Sequence, residues 1–202
     1  MNVLFVCVAN ENRSQIAEAA FNRLARKSYA TSAGLKPSLT GILLRNERGR
    51  FVALMAEAGY DISKAKVKRL NKRMADSAGR IVFVFEKKHL DDVPAYLLAR
   101  SDTELWEVES IREDTSVEEY AKLERRRIKQ IEARVEELVK RLEDQGSHVA
   151  AAGFNRAEKQ ARVPASKQPD RCLAPTRVEP VRSDWGNPFE RDEPRLANSD
   201  GS

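Results

Sequence analysis

An unbroken apolar run, Val3-Leu4-Phe5-Val6, ends at Cys7, and Arg13-Ser14 follow after the loop Val8-Ala9-Asn10-Glu11-Asn12. Beyond it, Ile16, Ala17, Ala20, Phe21 and Leu24 recur at helical steps. The order predicts a buried strand, a short loop and a helix start. Unpaired N–H groups and the macrodipole make such a start favourable for negative charge. The amides of Val8 to Arg13 can curl inward as an anion nest. Asn tolerates the left-handed backbone positions of tight loops, so Asn10 can brace this one. A free cysteine titrates near a pKa of about 8.5, and its thiolate is the reactive form. The Arg13 guanidinium can pair bidentately with an oxyanion, and Ser14 can donate a hydrogen bond to the sulfur. A structural cysteine at a strand end is the simpler alternative. The strand before it, the Asn within the loop and the helix after it together favour a nucleophile facing a tetrahedral oxyanion.

The remaining pattern alternates strands and helices. Tyr29–Ser32 closing on Gly34 reads as a strand and turn, and 37–50 as an irregular loop. Phe51, Leu54, Met55 and Ala58 mark a helix stopping near Gly59. Ile81–Phe85 is continuously apolar, as a central parallel strand buried on both faces would be, and Leu105–Val108 is a shorter candidate. Ser116-Val117-Glu118-Glu119 has a capping-box pattern, and the following apolar period extends to Gly146. The expected fold is α/β in three layers, a four-stranded parallel sheet flanked by helices, with Cys7 at a carboxyl end where such sheets bind ligands.

Residues 1–146 form the expected domain. From 147 to 202 apolar periodicity vanishes and six of the eight prolines appear, so a disordered, charged tail is expected there. It holds Cys172 and an aromatic island, Trp185-Gly186-Asn187-Pro188-Phe189. Two cysteines and two histidines suggest no metal cluster or disulfide scaffold, and no cofactor is expected. A reactive thiol without disulfides fits a cytoplasmic location, and no apolar stretch approaches a membrane span, so no membrane partner is expected. The basic run Lys64–Arg73 lacks interleaved aromatics. It reads as a solvated helix entrance rather than a nucleic-acid surface.

At Cys7, Arg13 and Ser14 the chain resembles the low-molecular-weight protein tyrosine phosphatases, a family that includes arsenate reductases. Arg13-Ser14-Gln15-Ile16-Ala17-Glu18-Ala19, Thr31-Ser32-Ala33-Gly34, Ala58-Gly59-Tyr60-Asp61-Ile62-Ser63 and Arg80–Phe85 extend the likeness over about residues 1–142. The resemblance implies that Cys7 attacks phosphorus, that Arg13 holds the equatorial oxygens and that water releases phosphate. Implied substrates are phosphorylated proteins or small phosphomonoesters, with arsenate and a small thiol as the alternative.

The family's general acid is an aspartate followed by proline, a dipeptide this chain lacks. In the corresponding region Asp114 and Glu113 are the candidate proton donors, or they serve only the start of the next helix by charge. Asn12 stands where many relatives have a second cysteine. No additional cysteines lie near Phe85-Glu86-Lys87-Lys88, where thioredoxin-coupled reductases need them. Gln15 resembles the reductase form of the motif. Three readings follow: a phosphatase, a reductase drawing on an external thiol, and a non-catalytic oxyanion-binding regulator.

Overall fold

Strand β1, Asn2–Cys7, explains the layering. Successive side chains of a strand point to opposite faces, and here both faces are covered. Val3 and Phe5 enter one apolar cluster, Leu4 and Val6 another. The computed structural model describes residues 1–112 and 114–160, with 146–160 as backbone alone. Within it β2 is Tyr29–Gly34, β3 is Arg80–Val84 and β4 is Thr103–Trp106. They form the four-stranded parallel sheet expected from the sequence, in the order β2-β1-β3-β4.

The first face carries α1 (Arg13–Leu24), α3 (Gly49–Glu57) and the long α6 (Val117–Gln160). Ile16, Phe21, Phe51, Met55, Ile131 and Val135 pack there against Val3, Phe5, Val82 and Val84. The Phe5 ring meets Phe21 edge-on at 5.9 Å and Trp106 at 5.6 Å. On the second face α4 (Lys72–Ser77), a 3-10 turn (Lys87–Asp92) and α5 (Ala95–Leu98) cover the other side chains. Ala75 and Leu97 meet Leu4, Val6, Ile81 and Phe83 there. Strand order reverses at β1, since β2 lies on one side and β3 on the other. The crevice at the carboxyl ends of β1 and β3 is the place such a reversal opens for a ligand.

Several boundaries differ from the sequence reading. The stretch 37–50, expected as loop, contains α2 (Leu44–Glu47) and the start of α3, because Leu44 and Phe51 are both drawn into the core. Strand β4 sits two residues earlier than expected, leaving Glu107–Arg112 irregular beside the crevice. The basic run does enter a helix, with Asn71 capping α4 through its side chain to the Met74 N–H at 2.9 Å. Before that it runs extended, and Arg69 bridges Gly34 at the β2 edge. Ser116 accepts from the Glu119 N–H at 3.3 Å, as a cap should. Helix α6 continues past Gly146 and Gly153 to Gln160, since an interior glycine costs a helix only about 1 kcal/mol. The tail expected to be disordered, with Cys172 and Trp185–Phe189, lies outside the described residues from 161 onward. Among the described residues no helix is long and apolar enough to cross a membrane.

Phe21→Ala should destabilise the protein by about 3–5 kcal/mol, the usual cost of emptying a close-packed aromatic site. A urea unfolding curve with an unshifted midpoint would contradict this account of the first face.

Candidate active site

The loop between β1 and α1 turns on Asn10, the one non-glycine with positive φ (59°) among the described residues. That turn aims the Asn10 N–H at Cys7 Sγ, 3.1 Å away. Ser14 Oγ lies 3.0 Å from the same sulfur. Asn10 Nδ2 donates to Ser14 Oγ at 2.9 Å, so the Ser14 proton is free to point at the sulfur. The same amide nitrogen donates to Ser32 Oγ at 2.8 Å, and Ser32 donates onward to the Glu18 carboxylate. Lys68 Nζ closes the chain on Glu18 at 2.8 Å. On the other side, Asn10 Oδ1 accepts from the Lys68 N–H at 2.7 Å and from Gln15 Nε2 at 3.1 Å. Asn10, Ser14, Gln15 and Ser32 are all buried, so each of these polar groups needs the partner it has.

Close backbone packing completes the support. An added Cβ at Gly34 would stand 2.8 Å from the Ala9 carbonyl carbon and 3.0 Å from the Asn10 nitrogen. Only glycine lets β2 press against the loop this way.

Above the sulfur lies a small cavity of about 140 Å³, lined by the loop residues Cys7, Ala9, Glu11, Asn12 and Arg13 and by Ser110, Ile111 and Arg127. Val8, Asn10 and Ser14, also expected at the site, do not line it; Asn10 and Ser14 act from behind through the bonds just described. Arg13 Nη1 donates to the Val108 carbonyl at 3.0 Å, which fixes the guanidinium at the cavity wall. Burial holds the Arg13 guanidinium below its ordinary value, the Cys7 charge opposes this, and Arg127 adds to it. One cysteine and two arginines thus converge on one oxyanion-sized space. Among the described residues no group of three His, Cys, Asp or Glu side chains could hold a metal.

The candidate proton donors are placed differently. Asp114 is exposed and paired with Arg112 at 2.6 Å, and it does not line the cavity. The chain has already passed the cavity wall at Ser110 and Ile111 and turned toward solvent. Glu113 lies outside the described residues. Glu11 does reach the cavity, but Arg48 clamps its carboxylate through Nε at 2.6 Å and through Nη2. Glu86 sits in the adjoining groove. Burial pushes its carboxyl up, yet hydrogen bonds from Lys88 and Ser110 bring it net below the ordinary value.

Residues 2–149 match the family described as low molecular weight phosphotyrosine protein phosphatase. The chain belongs to that family. No curated protein sequence matches it significantly. Among solved structures, an arsenate reductase from Archaeoglobus fulgidus is 29% identical, with a TM-score of 0.50, over 68% of this chain and 98% of that one. The YwlE arginine phosphatase from Geobacillus stearothermophilus is 18% identical, with a TM-score of 0.59, over 73% and 96% of the two chains. Wzb from Vibrio vulnificus, solved with benzylphosphonate, is 18% identical, with a TM-score of 0.58, over 69% and 97%. The last two share the fold. Family membership makes this chain an enzyme of the phosphatase type, as the resemblance at Cys7 implied.

The sequence reading missed Ser32, Glu18, Lys68 and Arg127. For Arg127 a signal existed: Tyr120, Glu124, Arg127 and Ile131 share one helix face, so a charged pair interrupts an apolar stripe.

Asn10→Ala strips the partners from several buried groups, at about 1–3 kcal/mol for each one left unsatisfied. Phosphate binding should weaken by at least about tenfold, which is 1.4 kcal/mol. Titration calorimetry giving an unchanged phosphate affinity would show that the loop holds its shape without Asn10.

Proposed function

We propose that this enzyme hydrolyses phosphomonoesters, on phosphorylated proteins or on small aryl phosphates such as phosphotyrosine, through a cysteinyl-phosphate. The observation that carries the reading is the sulfur itself. Cys7 Sγ receives the Asn10 N–H, neighbours the Ser14 hydroxyl and shares its cavity with the Arg13 guanidinium. Two hydrogen-bond donors at the sulfur favour the thiolate, and a fixed cation beside it attracts the substrate dianion.

In the first step Cys7 Sγ forms a bond to phosphorus while the bond to the leaving oxygen breaks. Arg13 and the inward amides of the loop hold the other three oxygens through the transition state. In the second step a water oxygen bonds to phosphorus, the S–P bond breaks and the sulfur departs as thiolate. Inorganic phosphate leaves and the water's protons go to phosphate and solvent. Such a thiol stays available in a reducing compartment, and the cytoplasm is the location this chemistry suits.

A second reading has its own support in the 29% identity to an arsenate reductase. Arsenate in the same cavity would form an S–As bond with Cys7 as one of its oxygens leaves as water. Two equivalents of a small external thiol would then be oxidised to a disulfide as arsenic falls from the +5 to the +3 state. Cys7 would be restored, and no further cysteine of this chain would be required.

Hydrolysis of 4-nitrophenyl phosphate by the full chain is expected, with Cys7→Ser reducing kcat/KM by at least about a thousandfold. Arsenate-dependent thiol oxidation without phosphate release would instead assign the reductase activity.

A further inference from the structure

The cavity above Cys7 opens beside a second arginine. Arg127 and Ile111 line that cavity and also two flanking grooves of about 780 and 670 Å³. A group esterified to a phosphoryl on the Cys7 side has to extend through this opening. A side chain there stands on the path of the leaving group.

Arg127 is held in place from below. Its Nη1 donates to Glu124 Oε2 at 2.8 Å, with the Glu124 side chain fully buried and that of Arg127 9% exposed. Burial pushes the Glu124 carboxyl up and the Arg127 charge opposes that shift. Burying an ion pair costs desolvation on both partners, and apolar residues would serve the α6 face at least as well for stability. A guanidinium kept there despite that cost points to work at the cavity.

The chemistry of the surrounding groups says what work. Glu11 is clamped by Arg48, Asp114 faces solvent, and Glu86 is held toward its ionised form. Neither Glu11 nor Asp114 presents a free carboxyl at the opening, and Glu124, whose carboxyl burial pushes up, is engaged with Arg127. A guanidinium does not give up its proton in a protein, so Arg127 supplies charge instead.

We propose that Arg127 is a catalytic residue that stabilises the departing oxygen electrostatically, and so matters most for esters whose leaving group is weakly acidic. The inference rests on the phosphatase reading. As the Cys7 Sγ–P bond forms and the P–O bond breaks, the electron pair stays on the leaving oxygen beside Arg127. The phenolate takes its proton from bulk water after it leaves. Oxygens of strongly acidic phenols carry that charge unaided, whereas those of weakly acidic ones need the neighbouring cation.

The test is kcat/KM, which reports phosphoryl transfer to Cys7, over 2,4-dinitrophenyl, 4-nitrophenyl and phenyl phosphate. Arg127→Ala alone leaves Glu124 buried without its counter-charge, so the double variant Glu124→Gln/Arg127→Gln is run with Arg127→Lys. Circular dichroism and urea unfolding confirm the fold of each. The double variant should lose about a hundredfold on phenyl phosphate, the scale of one electrostatic donor, and less than about threefold on the dinitrophenyl ester. Arg127→Lys should fall between, and Lys129→Ala, exposed on α6 away from the cavity, should match the parent. A loss equal across the series, or none, overturns the role of Arg127 while leaving the phosphatase reading intact. Failure of the parent to hydrolyse any of the three in a Cys7-dependent way sinks both together.

Discussion

The site depends on the left-handed turn at Asn10. An L-residue adopts that conformation only when its surroundings repay it, and here the repayment is a fully used amide. Its nitrogen serves Ser14 and Ser32, and its oxygen serves the Lys68 N–H and Gln15. With the turn fixed, the Asn10 N–H has no choice but to face Cys7 Sγ. The turn and its donor to the sulfur are therefore set by the protein's own bonds. Preorganised donors of this kind lose nothing to reorientation during the reaction.

Rigidity beneath the loop comes from the sheet. β1 is buried on both faces and paired on both edges, so Cys7 sits at the end of a central, tightly held strand. β2 approaches closely at Gly34, and the extended basic run pairs against Gly34 in turn. A run of lysines and arginines that looks like a solvated patch thus lends its backbone to the loop. Its Lys68 head group also ends the chain of bonds through Glu18.

Charge is arranged in two layers around the cavity. Arg13 belongs to the loop and is tied to the Val108 carbonyl, while Arg127 belongs to α6 and is tied to Glu124. The two cations bear on each other, which is tolerable because Cys7 and an incoming anion lie nearby. Two guanidinium groups beside one cavity make a field that favours an anionic ligand.

Much of this was legible in the chain itself. The run Val3–Val6 predicted a buried strand, and Cys7, Arg13 and Ser14 at their spacing predicted a short loop opening a helix, because strand period and helix start are local properties. A four-stranded parallel sheet followed from strands alternating with helices, whereas its strand order and register came only from the folded chain. What sequence could not decide was which carboxylate or cation would reach the cavity from afar. Asp114 looked well placed by its position after β4, yet its side chain turns to solvent with Arg112. Arg127 was passed over among the charges of α6, yet its side chain is buried and lines the cavity. Local order is set by neighbours a few residues away, whereas the direction a distant side chain points is set by how α6 docks on the sheet, and only the folded chain fixes that.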